Sequence, residues 1–173
     1  MKYISNTLYK KYLNAIDEME YILEEWELYE CSSRGEYIAD ALGLEHLGSG
    51  STRTTLALDD NTVVKFCNEV HNSGLNKAEV KFYETASPRL KDFLAQILEY
   101  DKISYDYIVM ERGDAFDDYD DEYEVYRKEI ENIRKQFKEA GILIADTEYD
   151  FNFVVCNGVL KLCDYAEYEL LER

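Results

Sequence analysis

The sequence predicts an α+β fold: helices at the N-terminus, an antiparallel sheet with one main helix, then a much reduced helical region ending in a β-hairpin. Three observations predict it. Leu47 to Phe66 reads as two strands around Asp59-Asp60-Asn61, opened by Gly48-Ser49-Gly50. Phe153 to Leu162 reads as strand, Asn157-Gly158, strand, the strongest short hairpin signal available to a sequence. Elsewhere apolar residues recur at spacings of three and four, the helical period.

At 173 residues the chain has room for one domain or a small two-lobed unit with a real core. Its net charge of -18, from 37 acidic and 19 basic residues, disfavours direct binding to nucleic-acid phosphates and implies that a charged partner is basic. A hydrophobic content of 46% with 16 tyrosines argues for a folded chain despite that acidity. Cys31, Cys67, Cys156 and Cys163 form no Cys-x-x-Cys pair, and three lie in apolar strand-like runs, so they read as reduced core thiols. No signal peptide or long apolar span is visible, which implies a soluble, cytoplasmic chain without a membrane role. A phosphate loop of the Gly-x-x-x-x-Gly-Lys-Ser/Thr type and a nucleophile elbow are both absent, and His46 and His71 are too isolated for zinc.

Taken in order, Thr7 to Tyr29 is helical, with Leu8, Tyr12, Ile16, Met19, Ile22, Leu23 and Trp26 on one stripe that packs on the domain or, alternatively, docks a partner. Ser32-Ser33 offers an N-cap to a second helix that Gly43 ends. The strand Val63-Val64-Lys65-Phe66 carries a cation whose burial requires an anion such as phosphate or a carboxylate. Asn76 to Ala86 is the main helix, with Glu79 early in it and Pro88 breaking it. Phe93 to Tyr100 and Tyr105 to Met110 read as two further strands, closed by Glu111-Arg112-Gly113. From Asp114 to Glu124 seven of eleven residues are acidic, and an apolar stripe through Tyr126, Ile130, Ile133 and Phe137 continues as helix to Gly141.

The two-residue turn at Asn157-Gly158 fixes the register of the last hairpin. Cys156 faces Val159, Val155 faces Leu160, Phe153 faces Leu162 and Asn152 faces Cys163, which brings Asn152 and Asp164 together at its open end. An amide oxygen beside a carboxylate suits a hard cation such as magnesium.

Gly48-Ser49-Gly50, the lysine strand, Glu79, Asn152 and Asp164-Tyr165-Ala166 together resemble the protein-kinase-like fold, which includes the aminoglycoside phosphotransferases. The opening Gly-x-Gly-Ser-x-Arg resembles that of small kinase-like proteins encoded by bacteriophages. The resemblance implies that Gly48 and Gly50 lie over ATP phosphates, that Lys65 pairs with them and with Glu79, and that Met110 and Glu111 form the hinge that meets adenine. It also implies that Asn152 and Asp164 hold magnesium. Arg53 stands where the family has its third glycine, and Ala166 replaces a glycine. The family's catalytic aspartate, five residues before the asparagine, is replaced by Thr147, so Asp146 serves as base only if the loop carries an extra residue. The chain ends nine residues after Asp164, without the family's peptide-holding helices.

On this reading residues 1-43 are N-terminal helices, 44-113 a kinase-like N-lobe, and 114-173 a reduced C-lobe with a catalytic-loop-like hairpin. The expected function is that of a degenerate kinase-like protein that binds ATP and magnesium and acts mainly on another protein, a host protein if the chain is phage-encoded. Two alternatives accompany it. One is an active phosphotransferase with Asp146 as base. The other is an acidic nucleic-acid mimic that presents Asp117, Asp118, Asp120 and Asp121 to a DNA-binding or defence protein.

Overall fold

The computed structural model describes residues 3-26, 31-69, 73-116 and 123-171, except for the side chains of 20-26, 31-33, 146 and 148. The chain divides into two compact units, one built from 1-76 and 97-110, the other from 77-96 and 111-173.

The first unit opens with two helices, α1 (Asn6–Trp26) and α2 (Cys31–Leu42), followed by strands β1 (Glu45–Ser49), β2 (Arg53–Ala57) and β3 (Thr62–Cys67). β4 (Ile97–Tyr100) and β5 (Tyr107–Glu111) complete a five-stranded antiparallel sheet in the order β1-β2-β3-β5-β4. The first part of the α1 stripe packs on the chain's own sheet, with Tyr12, Ile16 and Met19 buried in one cluster with Ile38, Leu56, Val64, Phe66 and Val109, and the side chains of Ile22, Leu23 and Trp26 lie outside the described residues. The Tyr12 ring stacks on Phe66 at 4.3 Å and its hydroxyl donates to the Cys67 carbonyl at 3.0 Å. A buried tyrosine needs such a partner, since its hydroxyl would otherwise be desolvated without return.

Between α2 and β1 the contact is close. A methyl at Gly35 would fall 1.7 Å from Ser49 Oγ, so this glycine allows the helix to approach the strand. Ser32 and Ser33, expected just before the helix, lie within α2, which begins at Cys31. Gly43, with φ +68, does end the helix.

In the second unit, most of α3 (Gly74–Thr85) is followed by the single turn α4 (Pro88–Lys91), whose N-cap is Ser87. Pro88 therefore starts a turn as well as closing the preceding helix. Then come α5 (Tyr123–Glu139), β6 (Ile142–Ile144), two 3-10 turns (Ala145–Glu148 and Asp150–Asn152), β7 (Phe153–Cys156), β8 (Val159–Leu162) and β9 (Tyr168–Leu170). Its core gathers around Phe82, whose ring lies 4.6 Å from Tyr168, 5.8 Å from Tyr165 and 6.1 Å from Phe137.

The β7–β8 hairpin has the expected register throughout: Phe153 opposite Leu162, Val154 opposite Lys161, Val155 opposite Leu160, Cys156 opposite Val159. Both turn residues have positive φ, +52 at Asn157 and +77 at Gly158, the geometry that matches the twist of flanking strands. Phe93 to Ala95, expected as strand, instead lies along β8: Leu162 N donates to Phe93 O and Ala95 N to Leu162 O, each at 2.9 Å. On the other side Asp114 and Val155 exchange backbone bonds of 2.8 and 3.0 Å. Both edges of this short hairpin are thus partly covered. Beyond the hairpin the chain continues as β9, which pairs with β6.

Candidate functional site

The glycine turn of the first unit is held from beneath by polar side chains. Asn68, wholly buried, accepts from Thr54 Oγ1 at 2.6 Å and donates to the Gly50 carbonyl at 2.9 Å. Thr54 in turn meets Ser49 Oγ at 3.1 Å, which meets His46 Nε2 at 2.7 Å. Two backbone bonds close the turn, Gly50 N to Arg53 O at 2.9 Å and Asn68 N to Thr52 O at 2.8 Å. Neither Gly48 nor Gly50 has a positive φ, and a methyl added at either would meet nothing within 4 Å. The space a side chain would fill is thus open at both positions, while the backbone is engaged, Gly48 opposite Thr55 in the β1–β2 ladder and Gly50 through both its N–H and its carbonyl.

Lys65 sits on β3 opposite Thr55, on a strand buried along its whole length, and is itself 6% exposed. Met110, buried near the end of β5, lies opposite Ile97. The boundary between the two units falls between Met110 and Glu111.

In the second unit Glu79 is fully buried, and its Oε1 accepts the backbone N–H of Tyr165 at 3.2 Å. Tyr165 follows Asp164 directly, so this carboxylate fixes the chain next to it. The Tyr165 hydroxyl donates to Ala95 O at 2.9 Å, and burial, reinforced by the nearby Glu79 charge, pushes its pKa well above the ordinary value. Asn152 O accepts Cys163 N at 2.8 Å, which extends the hairpin ladder by one pair and seats Asn152 across from the residue before Asp164. Asn152 is buried and Asp164 half-buried. Two oxygen ligands of this kind suit magnesium, which keeps several waters and takes its remaining ligands from phosphates. Among the described residues there is no cluster of three or more His, Cys, Asp or Glu to hold a metal unaided.

Glu111 is engaged within the second unit. Its carboxylate accepts from Gln96 N at 2.7 Å and from Lys161 Nζ at 2.5 Å, and its own N–H donates to Gln96 O at 3.0 Å. Of the two hinge residues expected, Glu111 therefore has amide and side chain already committed. Close by, burial pushes the Cys156 thiol up to about 12, and Glu111 adds to the shift.

Thr147 is buried, and its hydroxyl donates to Ile144 O at 2.9 Å. Two N–H groups of Arg134 converge on its carbonyl, and Arg134 also lies 3.8 Å from Asp150. Asp146 belongs to this clamped 3-10 turn, but its side chain lies outside the described residues. Asp117, Asp118, Asp120 and Asp121 lie outside them altogether, as does His71.

Sequence reasoning missed Asn68 and Arg134. Each is a single polar residue with no motif around it, and each acts through a backbone carbonyl brought near by folding.

No protein-family model matches the chain, and no curated protein matches it. Among solved structures it is similar to WbdD in complex with a kinase inhibitor, with a TM-score of 0.50 and 14% identity over 71% of this chain and 32% of that one. The fold is kinase-like. A second structure, described as the bifunctional kinase-methyltransferase WbdD, aligns with a TM-score of 0.48 and 16% identity over 70% of this chain and 31% of that one. This chain spans about a third of the length of WbdD. No helix among the described residues is long and apolar enough to cross a membrane.

Proposed function

We propose that this chain is a kinase-like module that binds ATP with magnesium and acts chiefly by binding another protein, with phosphoryl transfer reduced or lost. In this reading the open glycine turn covers the phosphates, Lys65 neutralises them, Asn152 and Asp164 supply magnesium ligands, and Met110 with Glu111 marks the hinge region. The observation that carries it is the Glu79–Tyr165 bond. A carboxylate buried without solvent is expensive unless hydrogen-bonded, and here it is placed to hold the backbone beside Asp164. The kinase inhibitor bound to the similar WbdD structure supports the choice of ligand class.

Thr147 supports the loss of catalytic power. At the sequence position where the family has its base, this chain has Thr147, whose hydroxyl donates to the Ile144 carbonyl. The net charge of -18 favours a partner with a basic surface, met in the cytoplasm. The lobes of the reading are residues 44-113 and 114-173.

The test is a melting measurement with ATP, with and without magnesium, run beside labelled γ-phosphate transfer. Binding without transfer is expected, with the shift lost in Lys65→Ala and Asp164→Ala. Rapid transfer abolished by Asp146→Asn would overturn the reduced-catalysis reading, and the absence of any nucleotide shift would overturn the ligand.

A further inference from the structure

A cavity of about 490 Å³ in the second unit runs beside the last turns of α5 and β6. Its apolar lining is Phe137, Ile142, Leu143 and Ile144, and its charged lining is Arg134, Lys135 and Lys138. The size falls within the ordinary range for small-molecule sites, ~300–1,000 Å³. The charge is the informative feature. In a chain with 37 acidic and 19 basic residues, this lining holds, among the described residues, three cations and no anion.

Two of the cations have partial partners. Lys135 lies 3.8 Å from Glu139 in an exposed i,i+4 pair, which is weak in water. Arg134 directs two N–H groups to the Thr147 carbonyl and lies 3.8 Å from Asp150, and its remaining donors are not used by these contacts. The Lys138 ammonium is exposed and, among the described residues, makes no hydrogen bond or ion pair. Its position in the last turn of α5 suits the helix dipole, which explains a cation there but not the apolar cavity beside it. Leu143, at 48% exposure, leaves an apolar wall open to whatever enters.

We infer that this cavity binds a small amphiphilic anion, a carboxylate or phosphate head on an apolar body. The head meets Lys138 and Arg134 at the rim, and the body covers Leu143 and Ile142. Thr147 also lines the cavity, which therefore adjoins the turn where the nucleotide reading has its base position, but the inference stands without nucleotide binding. A polyanion is disfavoured because the rest of the chain is strongly acidic.

The experiment titrates the full chain with octanoate and with octyl phosphate by calorimetry, with octanol, octylamine and inorganic phosphate as comparison probes. Octanoate or octyl phosphate should bind about ten-fold or more tightly than octanol, the size expected of one effective charge contact, and should weaken with salt. Lys138→Glu, at an exposed helix position, should remove most of that preference, and Leu143→Gln should weaken both anions. Equal affinity for octanol and octanoate would overturn the anion. Inorganic phosphate binding as tightly as octyl phosphate would overturn the apolar contact. Failure of every probe, or Lys138→Glu without effect, would overturn the site, as would an acidic peptide that binds at the rim where the small amphiphiles do not.

Discussion

The chain carries two glycine-bearing turns that solve different problems. At Asn157-Gly158 the backbone itself requires the residues, since both have positive φ and the turn sets the register of β7 and β8. At Gly48-Ser49-Gly50 the backbone makes no such demand. Neither glycine has a positive φ, a methyl at either would meet nothing within 4 Å, and the turn is held by Asn68 and Arg53 backbone contacts instead. The first turn serves folding. The second leaves the side-chain space above the strand end open, and a glycine that φ does not require says more about function.

Substitutions can break or sharpen this contrast. The largest effect is expected at a third kind of glycine, Gly113, where an added Cβ would lie 2.8 Å from Val154 Cβ and Cys156 Sγ. Gly113→Val should lower the unfolding free energy by about 3 kcal/mol, read by denaturant titration, because these backbone-anchored atoms have little room to retreat. Asn68→Ala should come next. Loss of its bonds to Thr54 and the Gly50 carbonyl should cost about 1–2 kcal/mol, and hydrogen exchange at Gly50 should accelerate. Gly158→Ala should cost about 1 kcal/mol, the penalty for a side chain at left-handed φ, with no change in nucleotide binding. The smallest stability change belongs to Gly50→Ala, within about 0.5 kcal/mol. That same variant should nonetheless reduce the melting shift produced by ATP and magnesium. If Gly50→Ala proved as destabilising as Gly158→Ala, the distinction between the two turns would be lost.

The local parts of this architecture were legible in the sequence. A two-residue turn leaves one register, so every pair of the β7–β8 hairpin followed from Asn157-Gly158, and the period of α1 identified Tyr12, Ile16 and Met19 as its inner face. Contacts distant in sequence were not legible. Phe93 to Ala95 is apolar enough to read as strand, yet its backbone bridges to Leu162 of β8, a partner nearly seventy residues away that no local pattern could name. Ser32-Ser33 looked like a cap because serine favours that position, but α2 begins at Cys31. For the candidate site, Lys65, Glu79 and Asn152 were legible as polar residues on a strand, a helix and the edge of a hairpin, and their role in binding is a proposal. Their supports, Asn68 beneath one turn and Arg134 clamping another, depend on carbonyls that only folding brings within reach.

The proposed divalent ion would be held with nucleotide at the open end of the last hairpin. Manganese is a paramagnetic substitute for magnesium that, if bound there, would broaden the resonances of nearby amides. In a spectrum of the labelled chain with ATP present, adding manganese should broaden the amides of Asn152, Cys163 and Asp164 first, and should do so far less in Asp164→Ala. Uniform broadening across the acidic surface, with these three amides unaffected, would contradict the account.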